Sequence, residues 1–124
     1  MQASNSHSYP LMRGGVSVSN GTDCPVEMPF ALGGIQCAVT RASLKGDRTP
    51  YLPREAFSVR EAIDSYTIRS AEASFEENEK GRIKEGQYAD FVVLGGDPFS
   101  VAPDTIKDIP VLAVYMGGKR VFGR

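Results

Sequence analysis

Apolar and polar residues alternate over Gly15-Val16-Ser17-Val18-Ser19, the period of a short strand. The run passes into Asn20-Gly21-Thr22-Asp23-Cys24-Pro25, a cluster of loop-forming residues. From about Gly34 to Ser43 the apolar spacing becomes helical, with Ile35, Val39 and Ala42 on one face. Gly33 and Gly34 argue that the first turn of this helix is late or irregular. Lys45 to Pro53, which holds Gly46, Asp47, Pro50 and Pro53, reads as a loop. The strongest helix signal follows. Ser58 and Glu61 have capping-box spacing, and Val59, Ala62, Ile63 and Tyr66 form an apolar stripe. Arg60, Glu61, Asp64 and Arg69 face away, and the small residues Ser70, Ala71, Ala73 and Ser74 allow a close backbone approach at the far end.

Beyond the charged turn Glu76 to Lys80 the pattern turns to β. Strands are expected over Ala89 to Leu94, Val111 to Met116 and Lys119 to Phe122. Gly117-Gly118 between the last two suits a hairpin turn, since both central positions tolerate positive φ. Phe91-Val92-Val93-Leu94 and Val111-Leu112-Ala113-Val114 are apolar on both faces, so these strands require cover on both sides. Burying one Val or Leu side chain contributes roughly 1.5–3 kcal/mol. Half a dozen left bare would forfeit about as much as a domain's whole net stability. Two short helices suffice for one face; the other needs more of a parent chain or a second copy of this one.

The fold class expected is α+β. The chain divides into a poorly ordered stretch over 1–14, a part with one strand followed by helices over 15–76 and a β-rich tail over 77–124. At 124 residues, with 14 basic and 15 acidic side chains and no charge run, it offers no electrostatic case for nucleic acid or an anionic membrane. No apolar stretch is long enough to span a bilayer and no secretory leader opens the chain, so the expected compartment is the cytoplasm. Cys24 and Cys37 fit two reduced thiols there. The one histidine, His7, reads as a solvated side chain, not a metal ligand.

Among groups that carry chemistry, Asp23 stands out as a carboxylate just past a strand end, where barrel enzymes place their active sites. An Asp in such a loop equally serves to bond backbone donors of its own turn. Glu27 is a possible partner carboxylate, though an acid near a helix start also matches the helix dipole. Ser17, Ser19 and Thr22 have no histidine but His7 to activate them. Gly95-Gly96-Asp97-Pro98 lacks the lysine and helix of a phosphate loop and reads as a turn. Gly14-Gly15 precedes a strand, the wrong order for a dinucleotide fingerprint.

Four segments in order resemble one family. Val18-Ser19-Asn20-Gly21-Thr22-Asp23-Cys24-Pro25-Val26-Glu27 is similar to the "T-D-x-P-V-E" string that ends the last barrel strand of metal-dependent amidohydrolases of family 3, the group of the N-substituted formamide deformylases. Glu61-Ala62-Ile63-Asp64-Ser65-Tyr66-Thr67 resembles its "E-A-L-x-x-Y-T" helix. Gly81 to Leu94 resembles "G-x-I-x-x-G-x-x-A-D-x-V-V-L", and Val114 to Phe122 the closing hairpin. The resemblance implies that 15–76 is the end of a (β/α)₈ barrel, with Val16 to Asp23 its last strand, and that 77–124 supplies strands of a small β-sandwich completed by the parent's N-terminus. It implies that Asp23 contacts a divalent metal, zinc, in the complete parent, takes a proton from the metal-bound water and passes it to the leaving nitrogen of a C–N bond. It carries no role for Glu27 or Cys24. The parent's H-x-H pair and further histidines are absent from this sequence, so the chain alone is expected to hold no metal and to be inactive.

Three readings remain open at this level. The first is a segment of an amidohydrolase, either excised or a degenerate gene product, with Met1 ahead of a mid-family sequence. The second is a stand-alone interaction or self-association module derived from that family. The third is a subunit that completes a barrel supplied by another polypeptide. The partner expected first is the remainder of the parent chain.

Overall fold

The computed structural model describes residues 8–123, and side chains from Leu11 onward. His7 lies outside the described residues. Four α-helices come first: α1 (Ser8–Arg13), α2 (Ala31–Thr40), α3 (Val59–Tyr66) and α4 (Ile68–Ala73). Strands β1 (Phe91–Leu94), β2 (Val111–Met116) and β3 (Lys119–Gly123) follow, with a 3₁₀ helix over Pro103–Asp108 between β1 and β2. The three strands form one antiparallel sheet in chain order, so the molecule is α+β. Gly117 and Gly118 have φ of 57° and 76° in the β2–β3 turn, as a two-glycine hairpin requires. The Asp90 carboxylate accepts the Gly117 N–H at 2.6 Å and the Ala89 carbonyl accepts the Gly118 N–H at 3.0 Å, which ties the turn to the entry of β1.

The core does not lie on the sheet. It joins Leu32, Ile35 and Ala38 of α2 to Phe57, to Ala62 of α3, and to Ile106 and Ile109 in and after the 3₁₀ helix. Leu94 is the strand residue packed against that cluster. The helices pack on one another and on the 3₁₀ helix instead of covering one face of the sheet, as the strand pattern led us to expect. Val92 and Val93 point to opposite faces and both are exposed, as are Val111, Leu112, Met116, Val121 and Phe122. Apolar strands without cover are thus what this chain presents.

Three local expectations need correction. Residues 8–13, inside the stretch expected to be poorly ordered, are helical. Val16 to Asp23 forms no strand, because no neighbouring chain among the described residues offers it a ladder. Val16 N–H instead bonds the Leu11 carbonyl, and Asn20 N–H the Ser65 carbonyl. Helix α2 starts at Ala31, not Gly34, and ends at Thr40, not Ser43. Its glycines serve packing. A Cβ on Gly33 would sit 2.7 Å from the Phe30 ring, and one on Gly34 only 2.0 Å from the Tyr66 hydroxyl.

The capping box of α3 is formed as its spacing foretold. Glu61 N–H donates to Ser58 Oγ at 3.2 Å, and Ser58 N–H to the Glu61 carboxylate at 2.8 Å. The single long helix expected there is two, broken at Thr67 (φ −122°, ψ −96°). Thr67 Oγ1 donates to the Ile63 carbonyl at 2.9 Å, a local bond that competes with regular helix.

Candidate active-site loop

The break at Thr67 has a consequence for Asp23. Near the break, the Ser65 carbonyl accepts the Asn20 N–H at 3.0 Å and Ser70 Oγ at 2.8 Å. The Asn20 side-chain amide adds a third bond, donating from Nδ2 to Ser65 Oγ at 3.0 Å. Ser65 Oγ in turn donates to the Ala62 carbonyl at 2.7 Å. Ser65 is 0% and Asn20 8% exposed, so this is a buried polar latch between the helices and the segment leading to Asp23.

Downstream of the latch the chain turns sharply. Val26 N–H donates to the Asp23 carbonyl at 2.8 Å and Glu27 N–H to the Thr22 carbonyl at 3.3 Å, and the Cys24–Pro25 bond is cis. Asp23 has φ of 50°, in the left-handed region that Asp tolerates better than most residues but still at a cost. Its side chain is exposed, as are Cys24, Pro25, Val26, Glu27 and Met28. The Asp23 side chain thus stands on a strained, anchored turn and is open to solvent. The turn bond at Asp23 is made by its backbone carbonyl.

Glu27 places its charge near Cys37, where burial first and that charge second push the thiol above its ordinary pKa. Cys24 and Cys37 are both free thiols. Gly95 to Pro98 is a turn, with the Asp97 carboxylate accepting from Phe99 N–H and Ser100 Oγ. Ser17 Oγ donates to the Glu72 carboxylate and accepts from Arg69, in an exposed polar cluster. Among the described residues no group of three or more His, Cys, Asp or Glu side chains is placed to hold a metal ion. Asp23 alone does not make a metal site. Sequence reasoning missed Asn20 and Ser65; the available signal was a small hydroxyl residue between Ala62 and Tyr66 on a helix whose apolar stripe runs past it.

Residues 6–122 match the model of the amidohydrolase family, and the chain belongs to that family. It is 37% identical over 113 residues to the amidohydrolase YtcJ of Bacillus subtilis, covering 90% of this chain and 21% of that protein. It is 33% identical over 108 residues to the N-substituted formamide deformylase of Arthrobacter pascens, covering 87% and 20%. In shape it is similar to the crystal structure of an amidohydrolase from Thermotoga maritima, with a TM-score of 0.68 at 27% identity, over 92% of this chain and 25% of that one. The chain thus spans about a fifth of the length of the curated relatives it matches.

Proposed function

We propose that this chain is the C-terminal segment of a metal-dependent amidohydrolase that cleaves a non-peptide C–N bond, and that it has no activity by itself. The observation that carries this reading is the match of nearly the whole chain to about a fifth of its relatives' length. The apolar strand residues exposed on both faces of the sheet support it, since they call for further chain to cover them. On this reading 15–76 closes a (β/α)₈ barrel, 77–124 contributes to a β-sandwich, and the whole works in the cytoplasm.

The Asp23 carboxylate is then the proton shuttle of the complete enzyme. It accepts a proton from the attacking water and returns it to the leaving nitrogen, work for which a carboxylate within hydrogen-bond reach is suited. The metal, zinc on this reading, belongs to the complete parent, where histidines from the rest of the chain hold it; the residues present here do not.

Calorimetric titration of the 124-residue chain with zinc near neutral pH tests this directly, with Asp23→Asn as control. No saturable binding is the expected result. Tight stoichiometric binding that disappears in the variant would overturn the inactive-segment reading and place a shared metal site between copies. A second reading, a self-associating module, draws on the same exposed strand residues. Sedimentation separates the two: a discrete dimer favours the module, a monomer or ill-defined aggregate the segment.

A further inference from the structure

We infer that Asn20 and Ser65 are positioning residues for Asp23: together they set where its carboxylate is presented, by locking the chain three residues upstream to the α3–α4 junction. The inference rests on the proton-shuttle reading of Asp23 and goes beyond it to the residues that hold the shuttle.

Two hydrogen bonds, one from the backbone and one from the side chain of Asn20, converge on the single residue Ser65. Such a pair fixes orientation as well as distance, because rotation of the Asn20 peptide would break one bond or the other. Ser65 is itself fixed by its bond to the Ala62 carbonyl and by Ser70, so the anchor is a rigid helix end and not another loop. From Asn20 the chain has only Gly21 and Thr22 before it reaches Asp23, and the turn bonds at Thr22 and Asp23 close it on the far side. Asn20 also keeps an unsatisfied acceptor: its Oδ1 is buried with no hydrogen-bond partner among the described residues. An apolar residue would fill this position without that cost. What it would lose is the fixed approach to Asp23.

Amide hydrogen exchange on the 124-residue chain tests the pair without any metal or activity. In Asn20→Ala, the Val26 and Glu27 amides are expected to exchange at least about tenfold faster, while the Ala62 amide in α3 shifts only with global stability. Ser65→Ala empties a fully buried site and risks the fold, so the double variant Asn20→Leu, Ser65→Ala accompanies it, replacing both partners by apolar groups. Its helices should recover protection while the loop stays fast. Loop amides that remain slow, or that change only in step with Ala62, overturn the positioning role. In the complete enzyme, Asn20→Ala should lower kcat with KM and metal content unchanged. Loss of activity in Asp23→Asn but not in Asn20→Ala overturns the positioning role alone. Full activity in Asp23→Asn overturns the proton-shuttle reading beneath it, and leaves the exchange result to stand as a statement about the loop.

Discussion

The backbone N–H of Lys107 donates to the Gln36 side-chain Oε1 at 2.9 Å, across 71 residues of sequence. Gln36 is 2% exposed, on the face of α2 that meets the 3₁₀ helix before β2. This one bond ties the helical half to the tail at the point where the core passes between them. Gln36→Leu keeps the bulk but leaves a backbone donor unpaired in that interface. A loss of about 1–3 kcal/mol is expected, read as a lowered denaturant midpoint.

Helix α4 ends in a Schellman motif with the wrong residue for it. Phe75 N–H bonds the Glu72 carbonyl and Glu76 N–H the Ala71 carbonyl, and Phe75 takes φ of 60° where glycine is usual. Its ring is 91% exposed, so it gains nothing from packing in this chain. Phe75→Gly should stabilise the isolated chain by about 0.5–1 kcal/mol through relief of left-handed strain. A thermal melt that moves down instead would show that the ring packs in solution.

Gly34 is required by Tyr66. Gly34→Ala would drive a methyl into the Tyr66 hydroxyl and should cost about 1–3 kcal/mol by overpacking. Adding Tyr66→Phe removes the hydroxyl but not the ring carbon 2.9 Å from the new methyl, so rescue should be partial. The double-mutant cycle reads the coupling as a non-additive stability change.

The α3 cap carries a pH dependence. The Ser58 N–H holds the Glu61 carboxyl below its ordinary value against an opposing burial penalty, and the Ser58 hydroxyl and the positive charges of Arg13 and Arg69 add smaller lowering effects. A lowered folded pKa means the bound form is the ionised one. Its stabilisation is fully present above the ordinary carboxylate value of 4.5 and is lost as pH falls through the lower folded value. Glu61→Gln keeps an acceptor for Ser58 and removes the titration. Its stability should fall less steeply than wild type across that acid window in parallel melts, whereas Ser58→Ala should cost about 1 kcal/mol at neutral pH.

Much of the local structure was written in adjacent residues. Ser58 and Glu61 set the start of α3, Gly117-Gly118 the hairpin, and the doubly apolar strands the need for cover that this chain does not supply. The order of four short motifs sufficed to place the chain in its family. These are short-range signals: a cap, a turn and a strand's two faces depend on residues within a few positions of one another.

Only the tertiary structure decided the rest, and for one physical reason: the deciding contacts join residues far apart in sequence. Gly33 and Gly34 look like helix breakers until the Phe30 ring and the Tyr66 hydroxyl are seen to lie where their Cβ atoms would be. Val16 to Ser19 has a strand's alternation, but a strand exists only beside another, and none is offered among the described residues. The helices could have covered the sheet; they found the 3₁₀ helix through Ile106, Ile109 and Gln36 instead. Asn20 and Ser65, 45 residues apart, carry no pattern that links them. The fold alone brings them together, and with them fixes the approach to Asp23.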